Sequence, residues 1–337
     1  MKPIALLLDS RSMGGIETHV SVLAKELTRR GFRADVSFLR DYGPHPMDKK
    51  LNRWKMAARK YRGSLHFLWS VLTDRPALIH THGYKAGLMG RLAARLAGVP
   101  VVSTYHSGDP GTGRVRCYSL IDQKTAWLAQ PIAVSEEIAK KLPPKTRKIN
   151  NFVPMPAEAT APITHFQKVA FVGRLSEEKG PDRFCELASL LPNIQFEMIG
   201  DGPMRDELQE KYGQTVRFRG AVSDMDDLWP EISLLCMPSR KEGLPMAALE
   251  AMACGIPVAA FAVGGLPELI RHEENGYLAA NGDTKHLAAL IQKHANLASG
   301  SLKELSCKAA ETIANRYPAE KSMNQILEAY HDAGLKL

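Results

Sequence analysis

Short apolar runs alternate with helix-length segments along the whole chain, and this alternation restricts the fold more than any other feature of the sequence. Strands that alternate with helices predict parallel sheets covered by helices. The alternation is interrupted at about 152–166, where a Pro- and Ala-rich stretch without periodicity predicts an interdomain linker. We therefore expect an α/β protein with two doubly wound domains, residues 1–160 and 166–316.

The predicted strands show where functional side chains are expected. The first, PIALLLD, leads through the Gly-rich turn SMGG into the helix IETHVSVLAKELTRRG, which Gly31 closes. The others are ADVSFL, ALIHTH, VPVVSTYH and PIAVS in the first half, and KVAFVG, IQFEMIG, VRFRG, ISLLCMP and IPVAAFA in the second. Ligands of open parallel sheets bind beyond the carboxyl ends of the strands. Functional residues are therefore expected directly after these runs.

Charge divides unevenly between the two halves. Residues 1–160 carry 26 Lys and Arg against 12 Asp and Glu, whereas residues 161–337 carry 18 against 24. This asymmetry indicates two domains with different partners. The basic half peaks at 49–62, KKLNRWKMAARKYR, where a helix would bring together Trp54, Ala57, Ala58 and Tyr61. Such a helix predicts docking on an anionic membrane surface, and a solvated face over an ordinary apolar stripe is the alternative.

Compartment and redox state follow from the apolar runs and the cysteines. The run from Ile4 to Leu8 is too short for a signal-peptide core or a membrane span. We therefore expect a cytoplasmic protein, with any membrane contact peripheral and on the inner face. The five cysteines are scattered, with no CxxC pair and no neighbouring His at zinc-ligand spacing. They are expected to be reduced core residues, and no metal site is predicted.

The stretch RKEGLPMAALEAMACGIPV, residues 240–258, contains two glutamates eight positions apart. Glu242 lies in the loop after a predicted strand, and Glu250 lies inside a helix that is otherwise apolar. We expect this helix to be buried on all sides, so an ionised Glu250 needs a hydrogen-bonding partner. A polar group of the protein is one candidate partner, and a ligand hydroxyl is the other.

The N-terminus of the same helix is a candidate anion site, because free backbone N–H groups meet the positive end of the helix dipole there. A diphosphate bound between Glu242 and Glu250 would leave each carboxylate beside a hydroxyl-bearing group, since eight residues of helix span up to about 12 Å. Arg174 and Lys179, in the loop after KVAFVG, could supply the neutralising cations. A solvated loop of mixed charge is the alternative interpretation.

The first half offers two weaker candidates. Gly14 and Gly15 would let the backbone approach a phosphate between strand and helix, although the motif is not a GxGxxG fingerprint. His106 follows VPVVSTY and would lie at the end of its strand. A histidine in that position is either functional or structural.

These segments together resemble the family 4 glycosyltransferases, which are retaining enzymes with the GT-B fold. The resemblance covers essentially the whole chain, with motifs in family order: GGIE, THGYKAGLMGRLAARLAGVPVVSTYH, IAVSE, FVGRLSEEKG, IGDGPMRDEL, FRGAV, EGLPMAALEAMACGIPVAA and GGLPELI. It implies two Rossmann-like domains facing across a cleft, with a helix at about 317–337 crossing back to the first. Asn150, Asn151 and Phe152 replace the Pro-Asn-Gly that relatives often carry before the linker, which leaves the linker geometry open.

The resemblance also implies a role for each matching residue. Glu250 would bind the nucleotide ribose and Glu242 a hydroxyl of the donor sugar, while Arg174 and Lys179 would hold the diphosphate. His106 would meet the donor sugar near its 6-hydroxyl and the reacting carbon. Backbone would complete the site, with Gly14, Gly15, Gly243, Leu244 and Met246 beside phosphate and sugar, and Gly200, Asp201, Gly202 and Ala221 around the base.

The implied function is transfer of a hexose-type sugar from a nucleoside-diphosphate sugar of UDP or GDP type. The acceptor would be a cell-envelope, lipopolysaccharide or exopolysaccharide saccharide, free or lipid-linked. No cofactor is expected, and the lack of an evident DxD-type metal site is consistent with a metal-independent, retaining hexosyltransferase. Two alternatives remain: a nucleotide-sugar epimerase or hydrolase of the same fold, and an inactive basic-surface binding protein. No nucleic-acid partner is expected for the enzyme.

Overall fold

The computed structural model describes residues 2–56, 58–106, 113–156, 160–222 and 224–336. Two compact units divide the chain: Met1–Asn151 with Ala319–Leu337 form the first, and Phe152–Pro318 form the second. Each unit is built on its own parallel sheet with helices between the strands, which confirms the predicted α/β class with two doubly wound domains. The predicted linker at 152–166 falls within the second unit, and its residues 157–159 lie outside the described part.

The first unit contains a seven-stranded sheet. Its strands are β1 (Ile4–Leu8), β2 (Ala34–Phe38), β3 (Ala58–Lys60), β4 (Leu78–His82), β5 (Val101–Tyr105), β6 (Gln130–Ala133) and β7 (Arg147–Lys148). They pair in parallel in the order β3-β2-β1-β4-β5-β6-β7. The connecting helices are α1 (Gly15–Arg29), α2 (Pro46–Arg53), α3 (Ser64–Asp74), α4 (Tyr84–Ala97), α5 (Gly113–Lys124) and α6 (Glu136–Ala139).

The second unit contains a six-stranded sheet. Its strands are β8 (Val169–Val172), β9 (Phe196–Ile199), β10 (Val216–Gly220), β11 (Leu234–Met237), β12 (Val258–Phe261) and β13 (Gly276–Ala279), in the parallel order β10-β9-β8-β11-β12-β13. Its helices are α7 (Pro181–Leu190), α8 (Arg205–Tyr212), α9 (Met246–Ala253), α10 (Leu266–Leu269), α11 (Thr284–Ala295) and α12 (Ser299–Arg316). A last helix, α13 (Ala319–Asp332), packs on β5 and β6 of the first unit.

Each of the ten apolar runs predicted as strands overlaps a strand of the structure. The central strand β1 is buried at every position, as expected for a parallel strand covered on both faces. Three strands were missed: β3 and β7 are edge strands of two or three residues without an apolar run, and β13 is the short segment GYLA. None of the described helices combines the length and the apolar character needed to cross a membrane.

The prediction of one amphipathic helix over 49–62 is wrong. His45 and Asp48 form a capping box that starts α2 at Pro46, and the helix ends at Arg53. Lys55 then adopts a φ of 56°, and the chain enters β3, which pairs with β2. Tyr61 is buried, whereas Trp54 lies beneath the ammonium groups of Lys25 and Lys50. Trp54, Ala58 and Tyr61 therefore do not share a helical face, and Ala57, the fourth residue expected on it, lies outside the described residues.

The strand order of each sheet reverses at one point. In the first unit, successive crossovers run outwards from β1 in one direction and from β4 in the other, and in the second unit the same reversal separates β8 from β11. Loops that leave the carboxyl ends of two such strands diverge and open a crevice between them. These two switch points are where ligand-binding residues are expected.

Candidate functional site

Two loops meet at the switch point of the second unit. The loop after β8 carries Arg174 and continues through a short 3-10 turn, Glu177–Lys179, while the loop after β11 carries Glu242. Lys179 Nζ lies 2.7 Å from Glu242 Oε2. The structure therefore brings together two residues that were predicted to serve one ligand from separate parts of the sequence.

Glu242 is the more enclosed member of this ion pair, with a side chain 2% exposed against 31% for Lys179. Ser239 Oγ donates to Glu242 Oε1 at 2.8 Å, so each carboxylate oxygen accepts a hydrogen bond. A buried carboxylate is stable when it is both paired and hydrogen-bonded, and Glu242 meets both conditions. Sequence reasoning missed Ser239, although a hydroxyl at a strand end, three residues before a buried glutamate, is a usable signal.

The environment of Glu250 differs from the expectation of a helix buried on all sides. Met246, Leu249 and Met252 of α9 are buried, but Ala247 and Glu250, which are three positions apart and share one helical face, are partly exposed. That expectation is therefore wrong for one face of the helix. The enclosed carboxylate of this stretch is Glu242, and Glu250 is reachable from solvent.

The N-terminus of α9 presents backbone donors beside the Lys179–Glu242 pair. Pro245 is the N-cap residue in extended conformation, and no side-chain hydrogen bond caps the helix. The first N–H groups of a helix have no intrahelical acceptor, and the helix dipole favours an anion at that end. Gly243, Leu244 and Met246, which were predicted to contact phosphate and sugar, lie at this end. The geometry suits an anion held between a helix N-terminus and the cations of the β8 loop.

A second ion pair ties the loop after β11 to the start of α7. The Arg240 guanidinium donates to both oxygens of Asp182, at 2.8 and 2.5 Å, and the Arg240 backbone N–H donates to the Glu178 carbonyl at 2.8 Å. Burial raises the pKa of Asp182, but the hydrogen bonds and charge of Arg240 outweigh it, so that this pKa lies below its ordinary value. These bonds fix the backbone around Lys179. Arg174, by contrast, is exposed.

Two glycines allow neighbouring loops to approach each other. Gly200, after β9, has a φ of 146°, and a β-carbon there would lie 1.8 Å from the carbonyl oxygen of Gly173. Gly264, after β12, has a φ of 57°, and its β-carbon would lie 2.0 Å from the carbonyl oxygen of Glu242. Neither position accepts a side chain without moving backbone. Gly264 was not among the predicted site residues, yet it supports the loop that carries Glu242.

The residues predicted to surround the base also gather at strand ends. The Asp201 carbonyl accepts from the Leu175 N–H at 2.9 Å, and the Gly200 N–H donates to the Gly220 carbonyl at 2.9 Å, which joins the loops after β8, β9 and β10. Gly202 packs on Leu175, and Ala221 directly follows β10. Because β9 and β10 lie on the side of β8 opposite to β11, these residues and Glu242 flank Arg174 from opposite sides.

The switch point of the first unit holds the N-terminus of α1. The helix begins at Gly15, with Gly14 as an extended N-cap residue and no side-chain hydrogen bond capping it. The first N–H groups of a helix have no intrahelical acceptor, so this end of α1 is a second potential anion site. One turn into α1 lies His19, which is buried. The predicted pair of glycines is thus placed as expected, at the junction of strand and helix.

Three histidines cluster at the same switch point. His82 ends β4, His106 follows β5, and the His82 Nδ1 lies 3.0 Å from the His106 Nε2. The His19 ring lies 4.8 Å from the His106 ring and 5.5 Å from the His82 ring, measured between centroids. Sequence reasoning named only His106, because the three histidines are far apart along the chain and follow no metal-ligand or catalytic spacing.

The cluster is electrically neutral at physiological pH. Burial lowers the pKa of His19 to about 4. Burial, reinforced by the neighbouring imidazoles, holds the pKa of His82 and of His106 well below the ordinary value. The His82–His106 hydrogen bond therefore joins two neutral rings, one as donor and one as acceptor. His106 can serve as a hydrogen-bonding group but carries no proton to donate as an imidazolium.

Neutral imidazoles are also metal ligands. One nitrogen from each of His19, His82 and His106 lies within 4.8 Å of the others, close enough to share a transition-metal ion. Behind them, His80 is held between the Tyr330 hydroxyl at 2.8 Å and the Thr104 hydroxyl at 2.7 Å. The expectation that the protein has no metal site stays a prediction.

Two family models match the chain, one on each half. Residues 13–146 match Glycosyltransferase Family 4, and residues 167–296 match Glycosyl transferases group 1. The loops that hold the histidine cluster and the Lys179–Glu242 pair fall within these two matches.

Two curated relatives are named as glycosyltransferases, and a solved structure shares the fold. The chain is 26% identical to the Escherichia coli UDP-Gal:alpha-D-GlcNAc-diphosphoundecaprenol alpha-1,3-galactosyltransferase, over 80% of this chain and 79% of the relative. It is 26% identical to the 2-deoxystreptamine N-acetyl-D-glucosaminyltransferase of Streptomyces fradiae, over 95% and 91%. Anabaena HepE in complex with UDP-glucose has the same fold, with a TM-score of 0.83 and 21% identity over 98% of this chain and all of that one.

The fold, the two family matches and the arrangement of both switch points agree. On this evidence the chain belongs to the family 4 glycosyltransferases and has the GT-B fold.

Proposed function

We propose that this glycosyltransferase moves a hexose-type sugar from a UDP- or GDP-sugar to a cell-envelope, lipopolysaccharide or exopolysaccharide acceptor, with retention of anomeric configuration and without a metal ion. The observation that carries the proposal is the Lys179–Glu242 ion pair beside the uncapped N-terminus of α9. The Escherichia coli relative is named for a UDP-Gal donor and a diphosphoundecaprenol-linked acceptor, and the HepE structure contains UDP-glucose. Both support a sugar nucleotide donor for this chain.

The diphosphate is the leaving group, and its negative charge grows as the bond to the anomeric carbon breaks. Arg174, Lys179 and the first N–H groups of α9 stabilise that charge more in the transition state than in the bound donor. Two cations and a helix dipole provide the stabilisation that a divalent metal gives in other transferases. This is the physical basis for proposing a metal-independent reaction.

The two glutamates orient the donor on either side of the diphosphate. Glu242 already accepts hydrogen bonds from Lys179 and Ser239, and each carboxylate oxygen keeps a further lone pair for a sugar hydroxyl. Glu250, partly exposed on α9, binds the ribose hydroxyls. The base lies near Gly200–Gly202 and Ala221, where it meets mainly backbone.

In the first unit, the Gly15 amide contacts the diphosphate and His106 hydrogen-bonds the donor sugar. Because burial holds the pKa of His106 well below its ordinary value, the neutral ring has no imidazolium proton to donate, and we assign it the positioning of the sugar through a hydrogen bond. In the proposed reaction the bond from the anomeric carbon to the phosphate oxygen breaks, and a bond to the acceptor oxygen forms on the same face. The acceptor proton passes to the departing phosphate.

A ligand screen tests the donor class. UDP, GDP, ADP and their common sugars are compared by thermal shift, since a ligand that binds only the folded protein raises its melting temperature. A nucleotide that stabilises the wild type but not Glu250→Ala supports the assignment. The absence of stabilisation by every nucleotide would contradict it.

Product analysis separates the proposal from its alternatives. Transfer with retention gives a product whose anomeric proton has the same configuration as the donor by NMR. Sugar released or isomerised without any acceptor would instead favour a hydrolase or epimerase of this fold. Nucleotide binding without turnover on any acceptor would favour the inactive binding protein.

A further inference from the structure

Large apolar side chains that face solvent are concentrated in one part of the first unit. Within the described residues, all the exposed large hydrophobics except Met155 and Leu190 lie between Leu65 and Leu128. Leu65 is 83% exposed, Trp69 63% and Trp127 61%. A gathering of this kind marks an interaction surface, because single exposed apolar residues are ordinary but contiguous ones are not.

These side chains belong to one layer of helices. In the first unit, α4 packs against α3 on one side and α5 on the other. The opposite sides of α3 and α4 point into the core, as Phe67 and Val71 of α3 and Ala93 of α4 show, whereas α5 is exposed along most of its length. We call the outward side the α3–α5 face and define it by Leu65, Trp69, Leu92, Leu96, Ile121 and Trp127.

The helical spacing makes this face continuous along each helix. Leu65 and Trp69 are four positions apart on α3, and Leu92 and Leu96 are four positions apart on α4, so each pair shares one side of its helix. Ile121 continues the apolar surface on α5, and Trp127 follows in the short 3-10 turn Ala126–Leu128.

Between residues 62 and 128, the exposed charged side chains that the structure describes are basic, apart from Asp74. Arg75, Arg95, Arg116 and Lys124 are exposed among the apolar side chains. Of the acidic residues described between 62 and 128, Asp74 is paired with Arg59 at 2.8 Å and Asp122 is buried against Arg91 at 2.6 Å. The α3–α5 face therefore combines exposed Trp and Leu with uncompensated positive charge.

We propose that the α3–α5 face docks the protein on an anionic lipid bilayer. Tryptophan prefers the boundary between headgroups and acyl chains, leucine enters the acyl region, and arginine and lysine bind anionic headgroups. A second copy of the chain is a poorer occupant, since face-to-face association would bring like charges together. The proposal concerns this surface alone and does not depend on the identity of the donor or the acceptor.

This assignment places the membrane contact on different residues from the predicted 49–62 segment. Leu51 and Tyr61 are buried, and the Trp54 ring is covered by two ammonium groups. That segment thus offers positive charge but little apolar surface for insertion, whereas the α3–α5 face offers both.

Vesicle co-sedimentation of the full chain tests the proposal. Wild-type protein should bind vesicles of phosphatidylcholine with phosphatidylglycerol more tightly than vesicles of phosphatidylcholine alone, and added salt should weaken the binding. Trp69→Ser with Trp127→Ser should reduce partitioning by at least about tenfold, because both side chains are exposed in water and lose burial in lipid. Arg95→Glu with Lys124→Glu should remove the preference for anionic lipid.

Matched variants keep the outcome decisive. Leu190→Ser removes an exposed apolar side chain from the second unit and should leave vesicle binding unchanged. Lys49→Glu with Lys50→Glu tests the 49–62 segment and should lower binding less than the Arg95 and Lys124 reversal. Wild-type partitioning by the double tryptophan variant, or dimerisation in place of lipid binding in light scattering, would overturn the proposal. Calorimetric donor binding should be the same in all variants, which separates this surface from the transferase site.

Discussion

Replacement of Lys179 by methionine tests the central geometry of the second unit. The substitution keeps most of the side-chain length and removes the charge that pairs with Glu242 at 2.7 Å. Breaking a fully buried ion pair costs about 3–5 kcal/mol, because the remaining charge is left uncompensated. Solvent reaches Lys179, whose side chain is 31% exposed, and Ser239 still donates to Glu242. We therefore expect the free energy of unfolding to fall by about 1–3 kcal/mol.

A double-mutant cycle isolates this interaction. In Glu242→Gln a neutral amide replaces the carboxylate, so adding Lys179→Met to it removes no ion pair and should cost at least about 0.5 kcal/mol less than in the wild type. Urea denaturation followed by circular dichroism measures each free energy, and the matched control is Lys241→Met, which changes an exposed lysine directly before Glu242 in the loop after β11. Additive effects would refute the coupling between Lys179 and Glu242.

The same variant tests the proposed chemistry. Loss of one preorganised donor to a developing negative charge lowers kcat by about 10²- to 10³-fold. Steady-state transfer should show that loss for Lys179→Met, with the Lys241→Met control close to wild type. A rate within a few-fold of wild type in the Lys179 variant would refute the role of this lysine in leaving-group stabilisation.

Four further predictions follow from other parts of the structure. Glu250→Ala should weaken the affinity for a nucleoside diphosphate by about tenfold or more in calorimetry, because a charge-assisted hydrogen bond contributes about 1.5–3 kcal/mol. The melting temperature of this variant should stay near that of the wild type. If the free energy of unfolding fell by as much as the free energy of binding, Glu250 would have a structural role. His82→Phe should lower kcat by about 10- to 100-fold with little change in donor KM, because it releases His106 from its hydrogen bond; an unchanged kcat would show that His106 needs no such support. Burial lowers the pKa of His294 from 6.5 to about 4, so the unfolded state binds more protons below pH 6.5 and stability must fall as the pH falls; from pH 6.5 to 5 we expect His294 to contribute a loss of about 1.5 kcal/mol, so in urea titrations the loss of stability should be smaller by about that amount in His294→Gln than in the wild type, and an equal loss in both would contradict this. Dialysis against EDTA should leave the transfer rate unchanged, since the chain supplies its own cations to the leaving group; a rate restored only by added metal would contradict this.

Apolar runs were sufficient to predict ten strands and, with them, the loops that hold Arg174, Lys179 and Glu242. The same reasoning failed for 49–62, because the capping box at His45 and the turn at Lys55 are local backbone features that outweigh charge pattern. It also misjudged which glutamate is enclosed. Burial of Glu242 depends on Ser239 and on the backbone at Gly264, and neither contact follows from helix periodicity.

The histidine cluster shows a different limit of sequence reasoning. His19, His82 and His106 come from α1, β4 and the end of β5, and only the order of strands in the sheet brings these elements to one edge. A single sequence predicts each strand but contains no spacing that relates the three rings. Their proximity, and the neutrality that burial imposes on them, become visible only with the fold.

Helix α13 has a consequence for synthesis of the protein. The first unit needs it: Tyr330 bonds to His80 behind the histidine cluster, and Arg147 pairs with Glu328 and Asp332. As the chain leaves the ribosome, residues 1–151 emerge first but lack this helix until the whole second unit has been made. The first unit therefore starts folding first and finishes last, and a nascent chain released before residue 319 leaves the His80 side of its sheet uncovered.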